Sequence, residues 1–431
     1  MDQPRMSRRR LMQVLALGGA GLSGCAAPGA RSGPGGRAAA RGIPTSPVEG
    51  DVSFAHWRAE DKAVFDKLIA AFTTKNADVK IRQDISPSND YQSNALQRIR
   101  GGQIGDVFVS FRGAQFFDMA KAGIYAPIAG QPLVANYDPT LINAGSQLGS
   151  QLGLPYQVVF NMPVANMDAL AGAGVTEAPD DWDGFLAMCD KLKAKGLVPL
   201  AWPGGDIGNA GQLLNSMVMN NAPTDDMFTK IESGQAKVTD QWFLTTLKQY
   251  VQLRPYFQPN ATGTAVEPAQ QLFARGKAGL LVTGSFHMAA VRALGAKFPM
   301  NLVPPITVPA DKAKFQGIYN ATFILGVNAA SRVQPAALAF IDFLSQPANA
   351  AVYANGTGQH VSVKNVAYDN PDLKATEAWL TRKTLLAPRF QFLDLDIRNA
   401  VEVAAVQVVG GTDPEQAAQK AQTIIDQRVK R

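Results

Sequence analysis

The side chains that could do chemistry gather on loops following predicted strands. His56, Trp57, Arg58, Glu60 and Asp61 come after the first strand, and Ser110, Phe111 and Arg112 after the third. Tyr156 and Gln157 sit where two prolines break the strand–helix rhythm, and Trp202, Asp206 and Asn209 lie in a glycine-rich loop. Gly284, Ser285, Phe286 and His287 form a turn whose glycine lets backbone approach a ligand closely. Tyr319 and Asn320, Gln359 and His360, and Asp394, Asp396 and Arg398 come from later segments. Rings supply apolar faces, while amides, guanidiniums and carboxylates supply directed hydrogen bonds. On the strand-end loops of an α/β protein, that mixture is equipment for holding a small ligand.

Bond-breaking machinery is missing by comparison. The sequence contains no Gly-x-Ser-x-Gly, no His-Glu-x-x-His, no P-loop and no Cys/His pair. Carboxylates are plentiful, but nothing selects the two that glycoside hydrolysis needs. The three histidines, His56, His287 and His360, all lie on candidate site loops, yet none stands at i, i+4 to another. Neither a metal nor any other cofactor is therefore expected. Cys189 falls on the apolar stripe of a predicted helix and reads as a buried, inert thiol.

A different chemistry marks the N-terminus. Ser7-Arg8-Arg9 with Leu11 and Met12 matches the twin-arginine export pattern, and Leu11 to Leu22 is a short uncharged core. Leu22-Ser23-Gly24-Cys25 resembles a lipobox, so residues 1–24 read as a signal peptide and Cys25 as the site of lipidation. GAGLSG within this run also fits a dinucleotide fingerprint, but no βαβ unit surrounds it. Residues 25–50, rich in Gly, Pro, Ala and Arg, read as the lipidated cysteine and a flexible tether. Past Cys25 no apolar run reaches about 18 residues, the length a membrane span needs. The chain carries +6, and Arg5, Arg8, Arg9 and Arg10 against Asp2 account for +3 of it. With no basic run interleaved with aromatics, nucleic acid is not an expected partner.

The elements that must position the loops alternate in type. Asp51 to Trp57 reads as a strand and Asp61 to Phe72 as a helix, with Val64, Phe65, Leu68, Ile69 and Phe72 on one stripe. Val79–Ile85 and Gly105–Phe111 read as strands, and Asp180–Lys195 as a helix. Ala278–Phe286 and Phe315–Val327 are further strands; Pro347–Ala354 is a helix stopped by Asn355-Gly356. Helices over 394–409 and 413–429 close the chain, the last with Ala417, Ala421, Ile424 and Ile425 on one face. This alternation predicts an α/β fold with a parallel sheet covered on both faces. With 431 residues, 46% of them apolar, two lobes are expected.

Five stretches, in order, carry a family likeness. They are SFAHWRAEDKAVFDKLIAAF, then GGQIGDVFVSF with MAKAGIYAPI, then LGLPYQVVFNMPVANMDALAGAGV with DWDGFLAMCDKLKAKGLVPLAW, then QLFARGKAGLLVTGSF, and finally GVNAASRVQPAALAFIDFLSQPANAAVYANGTGQ. Together they resemble the extracellular solute-binding lipoproteins of ABC importers, in the sugar-binding group akin to maltodextrin-binding proteins. Two positions depart from the family pattern. Val164-Ala165 precede Asn166 where an aromatic pair is usual, and Phe286 is the aromatic of a Gly-x-Trp-like turn. The resemblance implies an α/β, two-lobe periplasmic-binding-protein-like fold, its discontinuous lobes joined by a hinge with a ligand cleft between them. The lobes would comprise 51–157 plus 323–370 and 158–322 plus 371–431, with crossings near Pro155 and Asn320.

On that resemblance the expected function is non-enzymatic. A lipid-anchored monomer, exported by the twin-arginine route to the outer face of the cytoplasmic membrane or the periplasm, captures a mono- or oligosaccharide, amino sugars included. It delivers that ligand to the transmembrane subunits of an ABC permease. A sugar needs directed bonds to its hydroxyls and a ring against its C–H face, and the resemblance puts Phe111, Trp202 and Phe286 at or near stacking positions. The alternative in the same fold is a glycerophosphodiester or sugar phosphate held by Arg58, Arg112 and Arg398. Against it, Glu60, Asp61, Asp206 and Asp394 are as numerous in the same loops, which favours neutral polyols or amino sugars. A lipid-anchored glycoside hydrolase is the least expected reading.

Overall fold

Val52 and Phe54 turn inward while Asp51 stays exposed, and this alternation makes Gly50–His56 the first strand, β1. The computed structural model describes residues 47–429; the twin-arginine motif, Cys25 and nearly all of the tether lie outside the described residues. Strands β2 (Val79–Ile85) and β3 (Val107–Ser110) flank β1 in parallel. The intervening helix Lys62–Lys75 buries Phe65, Leu68 and Phe72 from the expected stripe. A small hairpin of β4 (Ser146–Gln147) and β5 (Ser150–Gln151) precedes β6 (Leu154–Phe160), which is buried throughout.

A second sheet follows, built from β7 (Val164–Asn166), β8 (Val198–Ala201), β9 (Ala278–Leu281) and β10 (Met300–Leu302) in the order β10-β7-β9-β8. The chain returns along β11 (Gly317–Val327), then adds β12 (His360–Val361) and β13 (Thr384–Leu386). The first sheet has the order β12-β6-β11-β3-β1-β2, with β13 beside the opening residues of β11. It is mixed rather than parallel, since β11 runs antiparallel to both β3 and β6. The reason is topological: β6 carries the chain out of one lobe and β11 carries it back, so the two crossings run in opposite senses.

Burial separates the two lobes. One core runs from Val48 to Tyr156 and from Phe323 to Leu373. The other lobe is filled by two adjoining clusters drawn from Phe160 to Ile318 and from Trp379 to Ile425. Cys189 is fully buried, and burial pushes its thiol pKa well up. Among the described residues no helix is long and apolar enough to cross a membrane.

Three local expectations change. The strand expected over 278–286 stops at Leu281, and Ser285–His287 forms a short 3-10 helix instead. The helix Pro347–Thr357 runs through Asn355-Gly356 and ends at Gly358, which takes the left-handed φ of 65°. Gly356 is instead a packing glycine, because a Cβ there would lie 2.8 Å from Val64. In the helix Pro414–Val429, Ala417, Ala421 and Ile425 are buried but Ile424 is 43% exposed.

Candidate functional site

The hinge strands build the floor of a cavity of about 300 Å³. Side chains alternate along a strand. Gln157 and Val159 of β6, with Asn161 just past its end, face this cavity, as do Asn320 and Thr322 of β11. The same pleat turns Tyr156 to the other face, into the first lobe's core, where its hydroxyl donates to Leu344 O at 2.9 Å.

The first lobe supplies one wall. Trp57 and Phe111 stack with centroids 3.7 Å apart and planes 17° apart, an arrangement worth about 0.5–1.5 kcal/mol beyond its buried area. Beneath them Arg58 donates from Nε and Nη2 to the two oxygens of Asp61, at 2.8 and 2.9 Å. Glu60 approaches Arg58 Nη1 at 3.1 Å. Asp61 also accepts from Tyr353 Oη at 2.6 Å and from Gln157 Nε2 at 3.4 Å. Burial opposes the charge of Arg58, but Asp61 and Glu60 outweigh it and raise its pKa.

The second lobe supplies the facing wall. Phe286 and Phe390 bring rings, and Asn209, Gln212 and His287 bring polar edges. Arg389 clasps Glu402 from Nε and Nη2 at 2.8 and 2.9 Å, and its Nη1 donates to Gly208 O at 2.9 Å. The clasp is close because Gly211 leaves room for it; a Cβ there would sit 2.4 Å from the Glu402 carboxyl carbon. Arg398, one turn before Glu402, reaches its Oε1 only at 4.0 Å. Burial and the like charge of Arg389 lower Arg398 to about 10, with Glu402 pulling the other way. His287 is lowered to about 3 by burial and then by Arg58, so its ring is neutral at pH 7.

Three polar atoms of cavity residues are buried without a hydrogen-bond partner among the described residues: Asn161 Oδ1, Thr322 Oγ1 and Arg398 Nε. Native proteins rarely leave such groups unpaired, and further ones lie outside the cavity lining, at Asn215, Trp242, Tyr250, Gln359, His360 and Gln407.

Of the residues picked from sequence, Trp57, Arg58, Glu60, Phe111, Gln157, Asn209, Phe286, His287, Asn320 and Arg398 line this cavity. The others serve from behind or elsewhere. His56 lies under Arg58, accepting from its backbone N–H at Nδ1 and meeting Gln83 Oε1 at Nε2. Asp61 is buried beneath the wall, and Ser110 accepts from Tyr125 Oη at 2.7 Å. Arg112 donates to Asn320 Oδ1 at 2.8 Å and to Ala387 O at 2.7 Å, tying the β3 turn to the opposite lobe. Trp202 is wholly buried, its indole donating to Ala210 O, and so fills the second lobe's core. Asp206 and Asp394 cap helices, Asp394 also pairing with Arg428 at 2.6 Å. Gly284 and Ser285 hold the turn against β6: a Cβ on Gly284 would lie 2.8 Å from Phe160 O, and Ser285 Oγ accepts from Phe160 N at 3.0 Å. Gln359 and His360 are buried at the edge strand β12, His360 bonded to Thr376 Oγ1 at 2.9 Å.

Sequence reasoning passed over Gln92, Asn161, Gln212, Thr322, Arg389 and Phe390. Asn161 and Thr322 were within reach, since stepping by two from Gln157 and from Asn320 arrives at them. Arg389 and Phe390 lie in a stretch with no readable period, and only the packing brings them to the cavity.

A two-lobed α/β protein whose crossing strands floor a polar, ring-lined cavity is a ligand-binding protein by construction. The profile of the bacterial extracellular solute-binding protein family matches residues 57–351, and the chain belongs to that family. Binding proteins of Brucella abortus and Brucella suis are 22% identical over 303 residues, covering 68% of this chain and 71% of theirs. Among solved structures, the solute-binding protein RafE in complex with raffinose superimposes with a TM-score of 0.75 at 16% identity, covering 88% of this chain and 99% of that one. A chitin oligosaccharide binding protein gives 0.75 at 21% identity, covering 89% and 100%.

Proposed function

We propose that this protein is the capture receptor of an ABC importer for a mono- or oligosaccharide. The observation that carries the reading is the cavity wall itself: Trp57, Phe111, Phe286 and Phe390 beside the amides of Gln157, Asn161, Gln212 and Asn320. Rings suit the C–H face of a sugar, and planar amides its hydroxyls. The proposed lobes are 51–157 plus 323–370 and 158–322 plus 371–431, swinging about β6 and β11. A ligand touching both walls favours the closed arrangement by its differential affinity, and roughly 5.5 kcal/mol moves such a balance from 1:99 to 99:1. Export through the twin-arginine motif, acylation at Cys25 and a monomeric state delivering to permease subunits complete the reading.

A thermal-shift screen of saccharides tests it. At ligand a hundredfold above Kd a binder adds about 2.7 kcal/mol of stability. Stabilisation by glycerophosphodiesters and by no sugar would replace the saccharide reading, and product formation in the same samples would make the protein an enzyme. Labelling with a radioactive fatty acid in cells, abolished by Cys25→Ala, tests the anchor.

A further inference from the structure

Charge is distributed unevenly around the cavity. On the second wall two guanidiniums share one carboxylate, and that carboxylate is spent on Arg389. Arg398 lines the cavity at 7% exposure, holds Gln92 Oε1 only at 3.4 Å, and keeps Nε without a hydrogen-bond partner among the described residues. Leaving a buried guanidinium so weakly paired is costly, and a ligand that pairs it recovers the cost.

One helix end adds positive potential to the same space. Ser88–Arg100 begins at the cavity through Ser88 and Asn89 with no side-chain cap on its first N–H groups, although Asp90 stands in its first turn, and helix N-terminal ends attract anions. The helix Ile207–Asn221 also begins there, but the Asp206 carboxylate caps it. The carboxylates that seemed to balance the arginines are engaged elsewhere: Asp61 under Arg58, Asp206 and Asp394 on helix ends. Glu60 alone reaches the cavity, and it sits against Arg58 on the opposite wall.

Resting on the receptor reading above, we infer that the saccharide carries an acid group, a carboxylate or a phosphate ester, and that Arg398 receives it. A neutral hydroxyl would fill the hydrogen bond but leave the charge unmet; a carboxylate or phosphate meets both.

Titration calorimetry on the full chain tests this with matched pairs. Hexuronates from mono- to tetrasaccharide are compared with their methyl esters, and hexose 6-phosphates with the free hexoses, alongside glycerophosphocholine as an anion without a sugar. One acidic member binds about tenfold to a hundredfold tighter than its neutral match, the scale of a charge-assisted hydrogen bond. That preference shrinks as salt rises, disappears in Arg398→Gln and returns in part in Arg398→Lys. Whether the uronate or the phosphate arm responds identifies the acid. Should Arg398→Gln fail to fold, the ester comparison and the salt series on the unmodified chain decide alone. Neutral members binding as tightly as their acidic matches would overturn the inference and leave the receptor standing. Binding of glycerophosphocholine alone, or of nothing in the series, would bring down the receptor reading and this inference with it.

Discussion

The two walls of the cavity treat buried charge in opposite ways. On the first, one guanidinium has two carboxylates, and Asp61 is further bonded by Tyr353 and Gln157. On the second, two guanidiniums have one carboxylate. Their pKa directions agree with the count: Arg58 is raised in spite of burial, while Arg398 falls to about 10. A closed cluster behaves as scaffold and here fixes the strand end from which Trp57 reaches its stack with Phe111. An open one leaves a guanidinium, here Arg398, short of partners. Charge in a cleft is therefore informative only after each group's partners have been traced.

The comparison breaks most visibly if Glu402 is removed. Glu402→Ala leaves Arg389 and Arg398 buried without a counter-charge, and is expected to cost about 3–5 kcal/mol of unfolding free energy in urea titrations. Asp61→Asn still leaves Glu60 beside Arg58 and is expected to cost less, about 2–3 kcal/mol. Equal losses would erase the distinction between the walls. A smaller change sharpens it. In Gly211→Ala the new methyl must push the Glu402 carboxylate off Arg389, for an expected loss of about 1–3 kcal/mol. Gly208→Ala, whose Cβ would meet nothing closer than 3.5 Å, should stay within about 0.5 kcal/mol.

Much of this arrangement was legible in the sequence, and where it was not the reason is geometric. Strand ends could be read from alternation, so Trp57, Phe111, Gln157 and Asn320 were found. A strand end cannot say which of two neighbouring residues faces the cavity, which is why Tyr156 accompanies Gln157, and Ser110 accompanies Phe111, on the other side of the pleat. Composition overstated the carboxylates for a related reason: Asp206 and Asp394 are helix caps, and Asp61 is buried under its arginine. The parallel sheet expected from alternating elements became mixed because two strands serve as crossings, a property of the whole chain and not of any window in it.

Rings divide in the same manner, and affinity separates them. Trp57→Ala removes a ring from the cavity and is expected to weaken saccharide binding about tenfold, from lost stacking of about 0.5–1.5 kcal/mol and a disordered Phe111. Trp202→Phe alters a core residue packed against Phe257 at 5.0 Å. It is expected to lower stability by about 1–3 kcal/mol while leaving affinity unchanged. Affinity lost in Trp202→Phe at full stability would move that ring into the site.

The smallest expected effect on affinity is that of pH, although His287 stands in the cavity wall. Its pKa is about 3 in the folded chain, and those of His56 and His360 are about 4, against an ordinary value of 6.5. Between roughly pH 4 and 6.5 the unfolded chain binds more protons than the folded one, so stability rises with pH across that window and is lost as pH falls through it. Affinity follows the folded state alone. Because His287 is already neutral there, the Kd of a neutral saccharide or a uronate, neither of which titrates in that range, should hold constant by calorimetry from pH 8 to pH 5 while the melting temperature drops; a phosphate ester, with its second pKa of about 6, would bring a break of its own. With such a non-titrating ligand, a break in Kd near pH 6 would mean that binding draws a proton onto His287, adding a fourth cation to Arg58, Arg389 and Arg398 at the cavity and taking from Arg398 its leading part in meeting the ligand's charge.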